Sequence, residues 1–164
     1  MPVNTAFEFV PIDRRRTVSK PRKSGITMVS DYQLGLASLS DLIEVAGHYI
    51  DLFKIATGTS RLFEKAHLQS KIEMLLANNI RPFLGGQFQE YVLHTMGVDA
   101  MPRHLSEAQA LGFDIIEISD NMVQLGQGLR QQLFDMIRDQ GMTPVGEIGD
   151  KRKSSSIISI IEEV

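Results

Sequence analysis

The sequence contains no cysteine, so it has neither a disulfide framework nor a thiolate metal site, and it fits a reducing compartment. No apolar run approaches membrane-spanning length, and the opening stretch MPVNTAFEFVPIDRRR lacks the apolar core of a secretory signal. Nor is one sign of charge in large excess: the formal net charge is -3, which gives no reason to expect a polyanion as partner. The histidines His48, His67, His94 and His104 share no spacing that would make a ligand set. These absences leave a cytoplasmic protein as the expectation, with no membrane and no nucleic acid among its partners. What is present suffices for one domain: 164 residues, 43% hydrophobic and 23% charged, can bury a sizeable core.

Residues 1–24 carry a basic run, Arg14-Arg15-Arg16 followed by Lys20, Arg22 and Lys23. Without interleaved aromatic residues it reads as a solvated arm rather than a nucleic-acid-binding one; a place near an anionic substrate is the other alternative. From Gly25 onward a regular alternation sets in, making residues 25–164 the structured domain. Strand-like apolar runs fall at 26–30, 50–56, 81–84, 113–119 and 144–148, with helical patterns between them. In SLSDLIEVAG, Ser38 is placed as an N-cap, with Asp41 three residues later and Gly47 as a stop. Leu68, Ile72, Leu75 and Leu76 mark one face of a second helix; Leu129, Leu133, Met136 and Ile137 mark one face of a later one. A shorter helix from His104 to Leu111 closes at Gly112. Units of this length are βαβ units, so the fold class is α/β with a parallel sheet.

An open doubly wound sheet and a (β/α) barrel of the TIM type both fit this pattern. The open sheet usually has a glycine-rich phosphate turn after its first strand, and GITMVSDYQLG offers none. Every strand here ends in polar residues, as a barrel with its chemistry at the carboxyl ends requires. The barrel is therefore expected, with five of its eight strand–helix units present. Such a partial barrel leaves two strand edges and apolar interior surface open, so the chain as it stands is expected to be truncated or to pair with itself.

Three charged residues interrupt these apolar strands: Lys54, Glu117 and Glu147. If all three face the barrel axis, the lysine is paired and two carboxylates converge beside it, an arrangement suited to magnesium. A buried ion-pair cluster without catalytic role is the alternative. Lys151, ending the fifth strand in EIGDK, reads as a proton donor or acceptor, or as a solvated loop charge. Asp31 and Asp120 read as ligands or as helix caps. Gly58, Thr59 and Ser60 could hold an oxyanion on backbone N–H groups, and Gly85-Gly86 permits close backbone approach or a tight turn.

With these residues in view, the segments GITMVSD, YIDLFKIATGTS, LGGQFQEY, LGFDIIEISDN and GEIGDK together resemble the phosphosulfolactate synthase family, from Gly25 to Lys151. The resemblance implies a modified TIM barrel and a magnesium-dependent addition of sulfite to phosphoenolpyruvate. It implies Lys151 as general acid, Lys54 as an electrostatic clamp, and acidic positions at Asp31, Asp51, Glu90, Glu117, Asp120 and Glu147. Geometry favours Glu117 and Glu147 for the metal, with Asp120 beside them. Asp31, Gly58, Thr59, Ser60, Gly85 and Gly86 are expected around the substrate. The chain departs from the family pattern at Ile55-Ala56, Gln87 and Asn121. These departures keep open a non-catalytic, stress-associated relative that binds or scaffolds.

Overall fold

A computed structural model describes residues 6–11, 15, 17 and 19–148. Five strands form one sheet: β1 (Met28–Asp31), β2 (Leu52–Ile55), β3 (Arg81–Leu84), β4 (Ile115–Ile118) and β5 (Thr143–Gly146). All pair in parallel with their sequence neighbour, in the order β1-β2-β3-β4-β5. A doubly wound sheet reverses its strand order at a switch point. This sheet never reverses, which is the winding of a barrel segment, and the expected α/β fold holds.

The helices are α1 (Leu36–Ala46), α2 (Lys65–Ala77), α3 (Gly86–Met96), α4 (Met101–Leu111) and α5 (Gln127–Asp139). Strand alternation sorts side chains between two faces. Phe53, Ile55, Leu84, Ile116 and Ile118 join a core built with Leu39, Leu68, Ile72, Leu75, Leu105, Leu133 and Ile137 of the helices. In register on the opposite, interior face lie Lys54, Phe83 and Ile115, followed by Glu117 two residues along β4. The expected helix faces are found, except that Leu76 is exposed.

Three local expectations change. Helix α1 starts two residues before Ser38, with Gly35 as its N-cap, so Ser38 sits inside the first turn. Helix α4 starts at Met101 rather than His104; Pro102 in its first turn has no N–H to waste there. Its stop at Gly112 is as expected, in the left-handed region at φ +103°.

The third concerns the basic arm: Lys20 and Arg22 are docked on the domain, while Arg15 and Lys23 are exposed as expected. Lys20 Nζ donates to the carbonyls of Gly47 (2.6 Å), Asn79 (3.3 Å) and Asn78 (3.4 Å), just past the ends of α1 and α2. Carbonyls at helix ends carry the negative end of the helix dipole, and that of Gly47 also accepts from Ile50 N at 3.2 Å. Arg22 Nε donates to Asp51 (3.0 Å) and its Nη2 to the His48 carbonyl (3.0 Å). Burial lowers the Lys20 pKa, and Asp51 opposes that shift. The arm thus closes the amino end of the sheet.

Candidate active site

Lys54 and Glu117 meet on the interior face near the carboxyl end of the sheet. The Lys54 ammonium lies 2.8 Å from Glu117 Oε1 and 2.7 Å from Oε2. Gly86 N, in the first turn of α3, donates to Oε2 at 2.6 Å. An unsatisfied helix N-terminus and a lysine therefore share one buried carboxylate, which is the pairing that burial demands. The lysine side chain keeps 13% of its surface exposed against 6% for the glutamate, so the pair is not fully sealed from solvent.

Two glycines make this approach possible. A Cβ on Gly85 would stand 3.0 Å from the Ile55 carbonyl oxygen and 3.1 Å from Lys54 Cε. On Gly86 it would stand 2.9 Å from Ser119 N and overlap the serine side chain. Close backbone approach, not a left-handed turn, is what these positions require. At the end of β2 the chain does turn left-handed, with Thr57 at φ +51° and Gly58 at +75°. That conformation is uncommon for a β-branched residue.

Helix α3 holds the exit of β4 a second time. Glu90 is fully buried; its Oε1 accepts from the Ser119 hydroxyl and its Oε2 from Met122 N (2.5 Å) and Val123 N (2.8 Å). Glu90 is therefore a helical residue that shapes the 119–123 segment, not a strand-end acid. Asp51 likewise lies at the opposite end of the sheet, under Arg22.

The remaining expected site residues separate. Asp31 is buried toward the helices, where it forms an ion pair with Lys71 and accepts from Gln33 N (2.9 Å) and Leu34 N (2.7 Å). It belongs to neither the interior face nor a helix cap. Thr59 turns its hydroxyl onto the Ala56 carbonyl (2.8 Å), and Ser60 lines a cleft on the helix side. Asp120 pairs with Arg130 of α5 at 2.5 Å, while the N-cap of α5 is Gly126. Glu147 accepts from Asn121 Nδ2 at 3.0 Å. Lys151 lies outside the described residues.

Among the described residues no three His, Asp or Glu side chains gather in a metal-holding cluster. Glu117 and Asp120, two of the three carboxylates expected for magnesium, each have a cation as partner. The third has a different neighbour. Asn121 is 5% exposed, and its Oδ1 is buried with no hydrogen-bond partner among the described residues. The two ends of an amide are interchangeable in outline, so a rotated Asn121 turns that oxygen toward Glu147. A carboxylate with an amide oxygen is a donor set that magnesium accepts, completed by water and substrate.

One participant, Lys71, escaped the sequence reading, and another, Glu90, was expected only as a strand-end acid. Lys71 falls three residues after Leu68 and four before Leu75, on the buried stripe of α2, and that spacing marks it as a buried charge in need of a partner. Glu90 sits among apolar residues of α3, but nothing in its spacing names Met122 and Val123 as its donors.

Comparison with known proteins covers nearly the whole chain. Residues 15–164 match the family model described as (2R)-phospho-3-sulfolactate synthase (ComA). A phosphosulfolactate synthase of Methanothermobacter thermautotrophicus is 34% identical over 146 residues, covering 89% of this chain and 54% of that protein. One from Methanocaldococcus jannaschii is 30% identical, with the same coverage. Protein HEAT-STRESS-ASSOCIATED 32 of Arabidopsis thaliana is 25% identical over 126 residues, covering 75% of this chain and 43% of its own. The chain thus spans about half the length of the curated relatives it matches.

Proposed function

The chain belongs to the (2R)-phospho-3-sulfolactate synthase family, and on that premise we propose that it acts as a carbon–sulfur lyase in the synthetic direction, adding sulfite to phosphoenolpyruvate. The sulfur lone pair forms a bond to the methylene carbon, the carbon–carbon double bond becomes single, and a proton reaches the neighbouring carbon. Lys151 is the proposed donor of that proton. Lys54 presents its ammonium to the anionic oxygens of the substrate, held in direction by Glu117 and the Gly86 N–H. Gly85 and Gly86 let α3 approach closely enough for that N–H to reach Glu117. The reading includes magnesium, for which Glu147 and Asn121, with its amide turned, are the groups offered among the described residues. When bound, it supplies positive charge beside the substrate carboxylate. A cytoplasmic setting belongs to the same proposal; among the described residues no helix is long and apolar enough to cross a membrane.

The observation that carries the reading is the Lys54 ammonium, fixed by two bonds to one buried carboxylate at the end of the sheet where barrels keep their chemistry. Calorimetry with phosphoenolpyruvate tests it. Heat that depends on magnesium and vanishes in Lys54→Met is expected; no heat under any condition overturns it. A second reading, a non-catalytic binding or scaffold relative, is favoured by Asn121. Its amide engages Glu147 where the family pattern has glycine. Absence of heat in the same experiment favours that reading.

A further inference from the structure

We propose that the helix side of the sheet carries a second small-molecule site, separate from the barrel mouth, that takes an organic carboxylate with an apolar body. The place is a cleft of about 460 Å³ bounded by the 59–62 turn, α2, α3 and α4. That size lies within the range of roughly 300–1,000 Å³ usual for small ligands. The barrel-mouth residues Lys54, Glu117, Asn121 and Glu147 are not among the described residues that line it. Its walls mix polar and apolar groups, with Phe63, Phe88, Phe113 and Leu84 on the apolar part.

The polar atoms decide what such a cleft accepts. Ser60 and His104 both belong to its lining, and one polar atom of each, Ser60 Oγ and His104 Nε2, is buried behind that lining with no hydrogen-bond partner among the described residues. A buried polar group without a partner is costly, so two around one cleft call for a shared one. Burial lowers the His104 pKa to about 4, which keeps the ring neutral near pH 7. A neutral imidazole carrying its proton on Nε2 donates, and so does a serine hydroxyl. Two neutral donors suit a group that only accepts, and a carboxylate is such a group.

The rim fixes the sign of the charge. Arg61 and Lys65 are exposed there and enter no ion pair among the described residues, against the single anionic lining residue Glu107. An anionic head can therefore lie between the orphaned donors and Arg61, while the apolar part of the walls covers the rest of the ligand. Phe88 already meets the His104 ring edge-on at 5.1 Å, so a ligand here is read out directly by His104.

The experiment titrates 4-phenylbutyrate into the full chain, following the His104 ring resonances by NMR and the heat by calorimetry. The neutral alcohol 4-phenylbutanol serves as comparison. A saturable shift of His104 is expected, with about tenfold weaker binding of the alcohol and a similar loss in Arg61→Gln, as expected when a charged hydrogen bond is removed. Ser60→Ala weakens binding less, and thermal unfolding of both variants confirms that they fold. Lys54→Met binds 4-phenylbutyrate unchanged. Three results overturn the proposal: no saturable shift at millimolar acid, equal binding of acid and alcohol, or loss of binding in Lys54→Met, which would put the acid in the barrel mouth.

Discussion

Asp31 and Glu117 stand near the carboxyl ends of their strands, on opposite faces of one sheet, and each has drawn in a lysine. On the helix side, Lys71 and Asp31 are both sealed from solvent. Lys71 also donates to the Leu34 carbonyl at 2.7 Å and lies 4.7 Å from the centre of the Phe63 ring. Its bonds to Asp31 and Leu34 tie the end of β1 and the segment after it to α2. On the interior side, Lys54 touches one carboxylate and keeps part of its surface open. The same pair of residue types thus makes a clasp on one face and an available cation on the other. Residual exposure and the number of satisfied partners together separate the two lysines.

The comparison breaks most visibly at the clasp. Lys71→Met leaves Asp31 buried without its cation, and urea denaturation should show a loss of about 3–5 kcal/mol. Lys54→Met should cost less, about 1–3 kcal/mol, because Gly86 N still serves Glu117 and water reaches the site. It should nonetheless abolish the magnesium-dependent binding of phosphoenolpyruvate. Equal stability losses in the two variants would erase the distinction. Gly86→Ala, which forces a methyl group onto Ser119, should also cost about 1–3 kcal/mol by the same assay, as overpacking does.

His104 sharpens the contrast through pH. Its folded pKa of about 4 lies below the ordinary 6.5, so the unfolded chain takes up the proton first. Stability should fall as pH drops from about 6.5 toward 4, and level off below that. In His104→Phe this part of the slope should disappear. The smallest effect is expected at the exposed Asp135–Arg138 pair, where Arg138→Ala should change stability by less than about 0.5 kcal/mol.

The strands were legible because apolar runs bounded by turn residues carry their own signal, and the parallel order follows from units long enough for a crossover helix. Lys54 was legible too, since a charge inside an apolar strand has to find a partner, and Glu117 is that partner. Glu147 shares the interior face but reaches Asn121 instead, because facing inward does not fix which neighbour a long side chain meets. Asp31 obeys the alternation, in register with Ile55 of the core face. The sequence alone does not give the pairing of β1 with β2, which is why Asp31 was expected near substrate and lies among helices. Ser38 failed as a cap because the apolar stripe of α1 begins earlier, and Gly35 can start a helix without a side chain. Lys20 and Arg22 were misread because a run of charges says nothing of the carbonyls and the carboxylate it will meet.

Helix α3 takes hold of the end of β4 at two places, through Gly86 N on Glu117 and through Glu90 on residues 119, 122 and 123. In recombination between relatives, residues 86 to 123 therefore travel as one block. A crossover placed at 97–112 would join an α3 from one parent to a β4 exit from the other, splitting donors from acceptors that were matched together. A crossover at 78–80, in the turn before β3, leaves both grips intact.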